Sequence, residues 1–153
     1  MVRTGLSLYG YSPIEDFQKK LKPINTFRTK VSYFKVLEKG STVGYDATYK
    51  TKERTRIVTL PLGYADGYAR SLSNKGKVII RDREYPIVGR VCMDQCMVDI
   101  GPDGEAYNGD DVLLWGNDGK NSIDLWKVSK TANRSIYDML CGISQRVPRG
   151  YID

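Results

Sequence analysis

Arg56-Ile57-Val58-Thr59-Leu60-Pro61-Leu62-Gly63-Tyr64 is the stretch of sequence that decides the fold of this chain. Every second residue from Arg56 to Leu62 falls on one side of an extended backbone, and this set is mainly apolar, which is the pattern of a β-strand. Pro61 stands near the end of the run, where a missing backbone amide is tolerated. The pattern therefore predicts a strand that delivers Gly63 and Tyr64 to its C-terminal end.

Similar runs follow the same logic elsewhere in the chain. The sequence predicts further strands over residues 27–38, 77–80, 85–89, 96–100 and 111–116. Lys39-Gly40 ends the first of them, and residues 81–84 are predicted to form a polar hairpin loop. Short strands at this spacing indicate a small barrel or sandwich. We expect a mainly β fold, a small antiparallel β-barrel-like domain with short C-terminal helices.

Helical patterns are found only at the end of the sequence. Ser122 is predicted to cap a turn from Ile123 to Val128, and Ser135 with Asp138 resembles a capping box. The helix rule i, i+3, i+4, i+7 is then followed by Ile136, Met139, Leu140 and Ile143. We expect this last helix to lie against the core.

Composition limits the classes of function. The chain has 153 residues and 41% hydrophobic residues, which suits one globular domain, and it has no apolar run near the roughly 18 residues of a membrane span. We expect a cytoplasmic location, with the cytoplasmic domain of a membrane protein as the alternative. The net charge is +6, but the 24 basic residues are scattered, so no nucleic-acid partner is expected. The three cysteines lack a Cys-x-x-Cys pair, so we expect buried, reduced thiols and no metal site.

Tyrosine is the main polar chemistry available, since the chain has eleven tyrosines and no histidine. Two runs concentrate it, Gly44-Tyr45-Asp46-Ala47-Thr48-Tyr49 and Gly63-Tyr64-Ala65-Asp66-Gly67-Tyr68. A tyrosine has a pKa near 10, so it needs a neighbouring cation or a specific hydrogen-bond network to act as a base. Arg70 and Arg90 follow the candidate pocket segments. The residues alone predict a small β-domain with a tyrosine-lined pocket; the alternative for any one tyrosine is a half-buried strand residue.

Several longer motifs closely resemble the alanine racemases. They are Arg3–Gly10, Gly44–Tyr49, Leu62–Gly67, Val88–Gln95 and Arg146–Arg149, and together they extend over nearly the whole chain. The resemblance is to the C-terminal part of that family. It implies that residues 1–10 end a preceding (β/α)₈ barrel domain and that residues 11–153 form the C-terminal β-domain. The barrel carries the lysine that binds pyridoxal phosphate, so the resemblance implies that this chain lacks the lysine and is inactive alone.

The resemblance also implies roles for residues of the substrate site. Tyr45 matches the catalytic acid/base that takes the α-proton of the L-amino acid, opposite the lysine. In the family this tyrosine reaches the partner subunit's barrel, which implies a homodimer. The backbone amide of Met93 matches the group that binds the substrate carboxylate. Tyr64 resembles the tyrosine that narrows the entrance, and Arg70 and Arg90 match basic residues of the same corridor.

The first motif resembles the cofactor site of the family. Arg3 matches the arginine that hydrogen-bonds the pyridine nitrogen of pyridoxal phosphate, where its permanent charge disfavours protonation. Gly5 and Leu6 match the residues whose backbone amides hold the cofactor phosphate. The resemblance thus implies pyridoxal 5'-phosphate as the cofactor of the full-length enzyme.

One position departs from the family pattern. Alanine racemases usually carry a tyrosine just before Arg146-Val147-Pro148-Arg149, and here the residue is Gln145. Racemases of the vancomycin-resistance type that favour serine also have a polar amide there. We expect interconversion of L- and D-alanine for cell-wall precursors, with a serine or serine/alanine racemase as the alternative. The alternative of another class is a non-catalytic binding or dimerisation module, which the presence of Tyr45, Tyr64, Arg90 and Met93 disfavours.

Overall fold

The computed structural model describes residues 1–151 and is built mainly from β-strands. The strands are β1 (Phe27–Lys30), β2 (Tyr33–Leu37), β3 (Thr42–Val43), β4 (Tyr49–Lys50), β5 (Thr55–Leu60), β6 (Lys77–Ile80), β7 (Arg83–Val88), β8 (Cys96–Gly101), β9 (Asp111–Asn117) and β10 (Ser122–Ile123). The α-helices are α1 (Glu15–Gln18), α2 (Leu125–Ala132) and α3 (Ile136–Cys141). Short 3₁₀ turns occupy Gly5–Tyr9, Tyr45–Ala47, Tyr64–Asp66 and Arg70–Leu72.

The main sheet is antiparallel and curls back on itself. Its strand order is β1-β9-β6-β7-β8-β5-β2, with β10 paired to β9, while β3 and β4 form a separate pair. β1 and β2 are consecutive along the chain yet lie at the two opposite edges of this order. Because only Val31 and Ser32 join them, the two edges must approach each other. The prediction of a mainly β, antiparallel barrel-like domain with short C-terminal helices is confirmed.

The predicted strand over residues 27–38 is wrong as a single element. The chain forms β1 and β2 instead, and it changes partner between them. The Val31 amide donates to the Asp110 carbonyl and the Ser32 amide to the Thr59 carbonyl, both at 2.9 Å. β1 therefore pairs with β9, while β2 pairs with β5. The continuous apolar run hides this break because β-propensity does not report which strand is the partner.

The other corrections concern turns and helix starts. The predicted hairpin loop over residues 81–84 is a two-residue turn, Arg81-Asp82, with φ values of 47° and 64°, so Arg83 and Glu84 belong to β7. The predicted cap at Ser122 is wrong, because Ser122 lies in β10 and Asp124 caps α2 by accepting the Trp126 amide at 3.0 Å. Ser135 does cap α3, accepting the Asp138 amide at 3.3 Å.

Helix α1 near the N-terminus was not predicted, since its four residues are too short to show a periodic pattern. None of the helices within residues 1–151 is long and apolar enough to cross a bilayer. Leu6 and Tyr11 pack into the main core, on either side of the expected boundary at residue 10. That boundary stays a prediction.

Strand β5 is covered on both faces, and this positions the site. Val58 and Leu60 are fully buried in the main core, which also contains Trp115. Ile57 points the other way, into a small second cluster with Val43 and Val88. This second cluster ties β3, and with it the segment that carries Tyr45, to the outer face of the sheet. The Tyr45 segment is therefore anchored by apolar contacts immediately before it leaves the sheet.

Candidate functional site

An open groove of about 630 Å³ brings together most of the residues that the sequence singled out. It is lined by Tyr45, Asp46, Tyr64, Arg70, Arg90, Val91, Cys92, Met93, Asp94 and Gln95. Tyr45, Tyr64, Arg70, Arg90 and Met93 were all candidates. The remaining candidates, Arg3, Gly5, Leu6 and Gln145, lie outside this lining.

The segment after β7 forms the floor of the groove, and the Tyr64 turn is hydrogen-bonded to it. The Cys92 amide donates to the Gln95 carbonyl at 2.9 Å, which closes a tight turn around Met93. The Tyr64 amide donates to the Cys92 carbonyl at 3.0 Å. Gly63 is required here, since a Cβ atom would lie 2.1 Å from the Cys92 carbonyl oxygen. The sequence Gly63-Tyr64 thus allows the turn to lie directly on the Met93 turn.

The Tyr45 turn lies across the same segment from the other side. Gly44 has a φ of +74°, and a Cβ there would lie 3.1 Å from the Arg90 amide nitrogen. Asp46 and Ala47 also have positive φ values, 60° and 47°, which cost energy in residues that have a Cβ. Arg90 Nε donates to Asp46 Oδ2 at 3.2 Å. These contacts hold a strained turn that leaves the Tyr45 side chain 71% exposed.

Sequence reasoning missed two residues that tie these segments together. Asn74 Oδ1 accepts the Gly89 amide at 2.6 Å, and its Nδ2 donates to Thr48 Oγ1 at 3.1 Å. Ser73 Oγ accepts the Val91 amide at 2.9 Å. Ser-Asn before a glycine predicts a turn, but nothing local indicates partners 15 or more residues away.

A charged network behind the groove was also missed. Asp66 is 8% exposed and accepts the Gly63 amide at 2.8 Å and Arg146 Nε at 2.7 Å. The same guanidinium donates through Nη2 to Asp94. Hydrogen bonds first to Asp66 and then to Asp94 raise the pKa of Arg146 above its ordinary value.

The second tyrosine of each run is structural. Tyr49 donates its hydroxyl to Asp99 Oδ2 at 2.6 Å, and burial followed by this hydrogen bond raises the pKa of Tyr49 to about 12. Tyr68 is 1% exposed, stacked 6.3 Å from Trp115, and burial raises its pKa well above the ordinary value. The alternative of a half-buried strand residue is confirmed for Tyr49, which lies in β4, but it is wrong for Tyr68, which is fully buried outside any strand.

The cysteines differ from one another. Cys96 is buried in the core, and Cys92 is half-buried at the groove, where burial raises its pKa. The expectation of a buried thiol is wrong for Cys141, which is exposed because it ends α3 on the side away from the core.

The N-terminal candidates form a separate group. Gly5 opens a 3₁₀ turn with a φ of +55°, and a Cβ at this position would meet open space. Leu6 is buried while Arg3 is exposed. The amides at the start of a helical turn have no acceptor within the turn, which makes this end of the turn suited to an anion.

The fold and the groove together define a β-domain that presents tyrosine and arginine side chains and the Met93 turn on an open surface. Residues 24–151 match the family described as "Alanine racemase, C-terminal domain", and the chain belongs to this family.

The chain is 45% identical over 153 residues to the alanine racemase of Halothermothrix orenii, covering 99% of this chain and 40% of that protein. It is also 45% identical to the alanine racemase of Clostridium perfringens strain SM101, covering 98% of this chain and 40% of that protein. Among solved structures, alanine racemase from Streptomyces coelicolor A3(2) superimposes with a TM-score of 0.91 at 32% identity, over 99% of this chain and 40% of that one. Alanine racemase from Bacillus anthracis with bound L-Ala-P superimposes with a TM-score of 0.87 at 35% identity, over 97% of this chain and 39% of that one. The chain thus spans about two fifths of the length of the relatives it matches.

Proposed function

We propose that this chain is the C-terminal part of an alanine racemase that interconverts L- and D-alanine, and that Tyr45 is its tyrosine acid/base. The observation that carries the proposal is the groove, which gathers Tyr45, Tyr64, Arg90 and Met93 from separate segments of the chain. A binding or dimerisation module without chemistry has no need of a strained turn that exposes a phenol beside a guanidinium.

Tyr45 would exchange a proton at the α-carbon of the substrate. Its hydroxyl is free of the core, since the side chain is 71% exposed, and it shares the groove with Arg70 and Arg90. Arginine side chains in the same groove would stabilise negative charge that develops there during proton transfer. Racemisation needs a second acid/base on the opposite face of the α-carbon, and the family resemblance supports a lysine of the barrel domain for that part.

The Met93 turn would bind the substrate carboxylate. Met93 is 53% exposed at the centre of the turn and lines the groove, and we infer that its backbone amide can meet a carboxylate there. Backbone amides are effective donors to carboxylates, and the two arginines add a favourable field for an anion. Tyr64 is 42% exposed on the wall beside this turn, where its ring limits the room for a side chain on the substrate.

The residues present also fit pyridoxal phosphate. The open turn at Gly5 and the amides of Gly5 and Leu6 would hold the phosphate, and Arg3 would meet the pyridine nitrogen. When bound, the cofactor withdraws electrons from the α-carbon and so acidifies its proton. The exposed Arg3 guanidinium has N–H donors and no acceptor, so it would donate to the ring nitrogen and disfavour its protonation.

The exposure of Tyr45 supports partner surfaces. A catalytic phenol works best in a site from which water is excluded, and this chain covers less than a third of the Tyr45 side chain. We infer that an N-terminal barrel domain and a second subunit of a homodimer cover it.

Alanine is the preferred substrate, because the relatives that match the chain are named alanine racemases. Gln145 is the single position that favours serine. In the racemase, Gln145→Tyr should lower the ratio of serine to alanine racemisation if serine is accepted through the amide. An unchanged ratio would remove serine as a candidate.

A chimera tests the proposal directly. The C-terminal two fifths of the Halothermothrix orenii enzyme would be replaced by this chain, and formation of D-alanine from L-alanine would be measured by circular dichroism. We expect activity that falls by about 10²–10⁴ in Tyr45→Phe. Tyr49→Phe is the matched control and should stay within a few-fold of the parent chimera. A folded, cofactor-loaded chimera that makes no D-alanine would overturn the proposal.

A further inference from the structure

Three charged residues, Asp66, Asp94 and Arg146, join two walls of the groove, and of these only Asp94 is part of its lining. Asp66 ends the turn that carries Tyr64, and it binds Arg146 Nε at 2.7 Å. The same guanidinium donates through Nη2 to Asp94, the residue after Met93. Arg146 itself is outside the groove lining. It therefore connects the Tyr64 turn to the Met93 turn without facing the groove.

The connection affects the direction of the Met93 N–H, because the geometry of the peptide bond links that amide to the Cys92 carbonyl. The Cys92 carbonyl and the Met93 amide belong to one planar peptide unit and point in opposite directions. The Tyr64 amide holds that carbonyl at 3.0 Å, so it sets the direction of the Met93 N–H. On the other side of Met93, the bond from Arg146 holds Asp94. Met93 is thus held through both of its neighbours, Cys92 and Asp94. Each neighbour is connected by hydrogen bonds to the Tyr64 turn, Cys92 directly and Asp94 through Arg146.

Charge and shape make an arginine necessary for this connection. Asp66 has a side chain only 12% exposed, and among residues 1–151 its ion pair is with Arg146, which it shares with the more exposed Asp94. The guanidinium offers several N–H groups in a fixed planar arrangement, and here Nε serves Asp66 while Nη2 serves Asp94. A lysine ammonium is a single point of charge and does not reach two acceptors in this way.

We propose that Arg146 is a positioning residue for substrate binding: by joining Asp66 to Asp94 it orients the Met93 amide toward the substrate carboxylate. The proposal rests on the proposed function for the identity of what the amide binds. It differs from a purely stabilising role, which would lower the stability of the fold and leave substrate affinity unchanged.

Steady-state kinetics of the chimera separate the two roles. Arg146→Lys should raise the KM for L-alanine roughly tenfold and leave kcat within about threefold, because a binding amide is misaligned and the proton-transfer groups are not. Arg134→Lys is the matched control. Arg134 also uses Nε and Nη2 on a carboxylate, that of Asp138, and its side chain is 39% exposed against 49% for Arg146. It should leave KM within about twofold.

Hydrogen exchange supplies a readout that does not depend on activity. Peptides covering residues 92–95 should exchange faster in Arg146→Lys than in the parent chimera or in Arg134→Lys. Asp94→Asn should also raise KM, and the double variant should have a KM close to that of Arg146→Lys alone, since both changes disrupt the same Arg146–Asp94 connection. Asp94→Asn also replaces Arg146→Lys as the test if that variant fails to fold.

The outcomes distinguish the two proposals. A parent chimera that folds but is inactive rejects the proposed racemase function. Hydrogen exchange of residues 92–95 in that chimera then still tests whether Arg146 orders the Met93 turn. An active parent in which Arg146→Lys and Arg134→Lys have equal KM values, or in which exchange is unchanged, rejects the positioning role alone.

Discussion

The two tyrosine runs share a spacing, and in each run the two tyrosines have opposite surroundings. Tyr45 and Tyr64 come first, are 71% and 42% exposed, and line the groove. Tyr49 and Tyr68 follow four residues later and are held in the structure, Tyr49 by Asp99 and Tyr68 by the core. The same residue type in the same motif thus lines the groove in one position and is packed or hydrogen-bonded into the structure in the next.

Local backbone geometry produces this difference. Gly44 and Gly63 let the chain pass closely over the Arg90–Met93 segment, so the tyrosine that follows each glycine lies at the groove. The chain then returns to regular structure or to the core, and the second tyrosine is covered. Burial raises the pKa of Tyr49 and Tyr68, which keeps both phenols protonated and unsuited to a base at neutral pH.

The largest expected effect is on stability and comes from Tyr68, the tyrosine that is buried in the core. Tyr68→Ala should lower the free energy of unfolding by about 3–5 kcal/mol, because it empties a fully enclosed site beside Trp115. Tyr64→Ala, at an exposed position, should cost less than about 1 kcal/mol. Urea unfolding followed by tryptophan fluorescence measures both. Equal losses would mean that the two tyrosines are not divided between groove and core.

The next effect tests the contact between the second run and the Met93 turn. Gly63→Ala places a Cβ against the Cys92 carbonyl, so the two segments must separate, and we expect a loss of about 1–3 kcal/mol. Gly150→Ala meets open space and is the control. If thermal unfolding shows the two variants to be alike, the close approach at Gly63 is not maintained in solution.

Most of the fold could be predicted because its signals are local. The alternation in Arg56–Leu62 gave β5, and the serine at position 135 gave the start of α3. The break at Val31-Ser32 could not be predicted, since it depends on a change of partner from β9 to β5 that the run itself does not encode. The Arg81-Asp82 turn was likewise hidden, because Arg81 is not typical of positive φ and no glycine stands at the second position of the turn.

The candidate site divides in the same way. The motifs singled out Tyr45, Tyr64 and Met93, and the structure brings all three to one groove, while their roles there stay a prediction. The Asp66–Arg146 bond joins residues 80 positions apart, and no property of either segment indicates the other. Gln145 was expected at the pocket on the strength of its position in a motif, yet it lies outside the groove lining of this chain.

A smaller effect concerns the hydroxyl of Tyr49. Tyr49→Phe leaves Asp99 Oδ2 without the phenol, although Thr55 Oγ1 and the Gly101 amide still donate to Oδ1 at 2.5 and 2.9 Å. We expect a loss of about 1–2 kcal/mol in urea unfolding. Tyr45→Phe, with its exposed ring, should stay within about 0.5 kcal/mol of the parent. The reverse order would show that the Tyr45 turn, and not Tyr49, is the structural element of this run.

The smallest effect is confined to alkaline pH. Tyr49 and Tyr11 each have a pKa raised to about 12, mainly by burial, against about 10 in the unfolded chain. Their contribution to stability is therefore complete below pH of about 10. It is lost as the pH rises from about 10 to 12, since the unfolded chain releases protons that the folded chain retains.

Tyr49→Phe should make this decline shallower by up to one proton per molecule unfolded. Phe34→Leu, on the strand beside β5, removes no titrating group and should keep the parental slope. Unfolding free energies measured at several pH values from about 8 to 11.5 give the slopes, and a Tyr49→Phe slope equal to that of the parent would place the proton release elsewhere, with Tyr11 as the next group to replace.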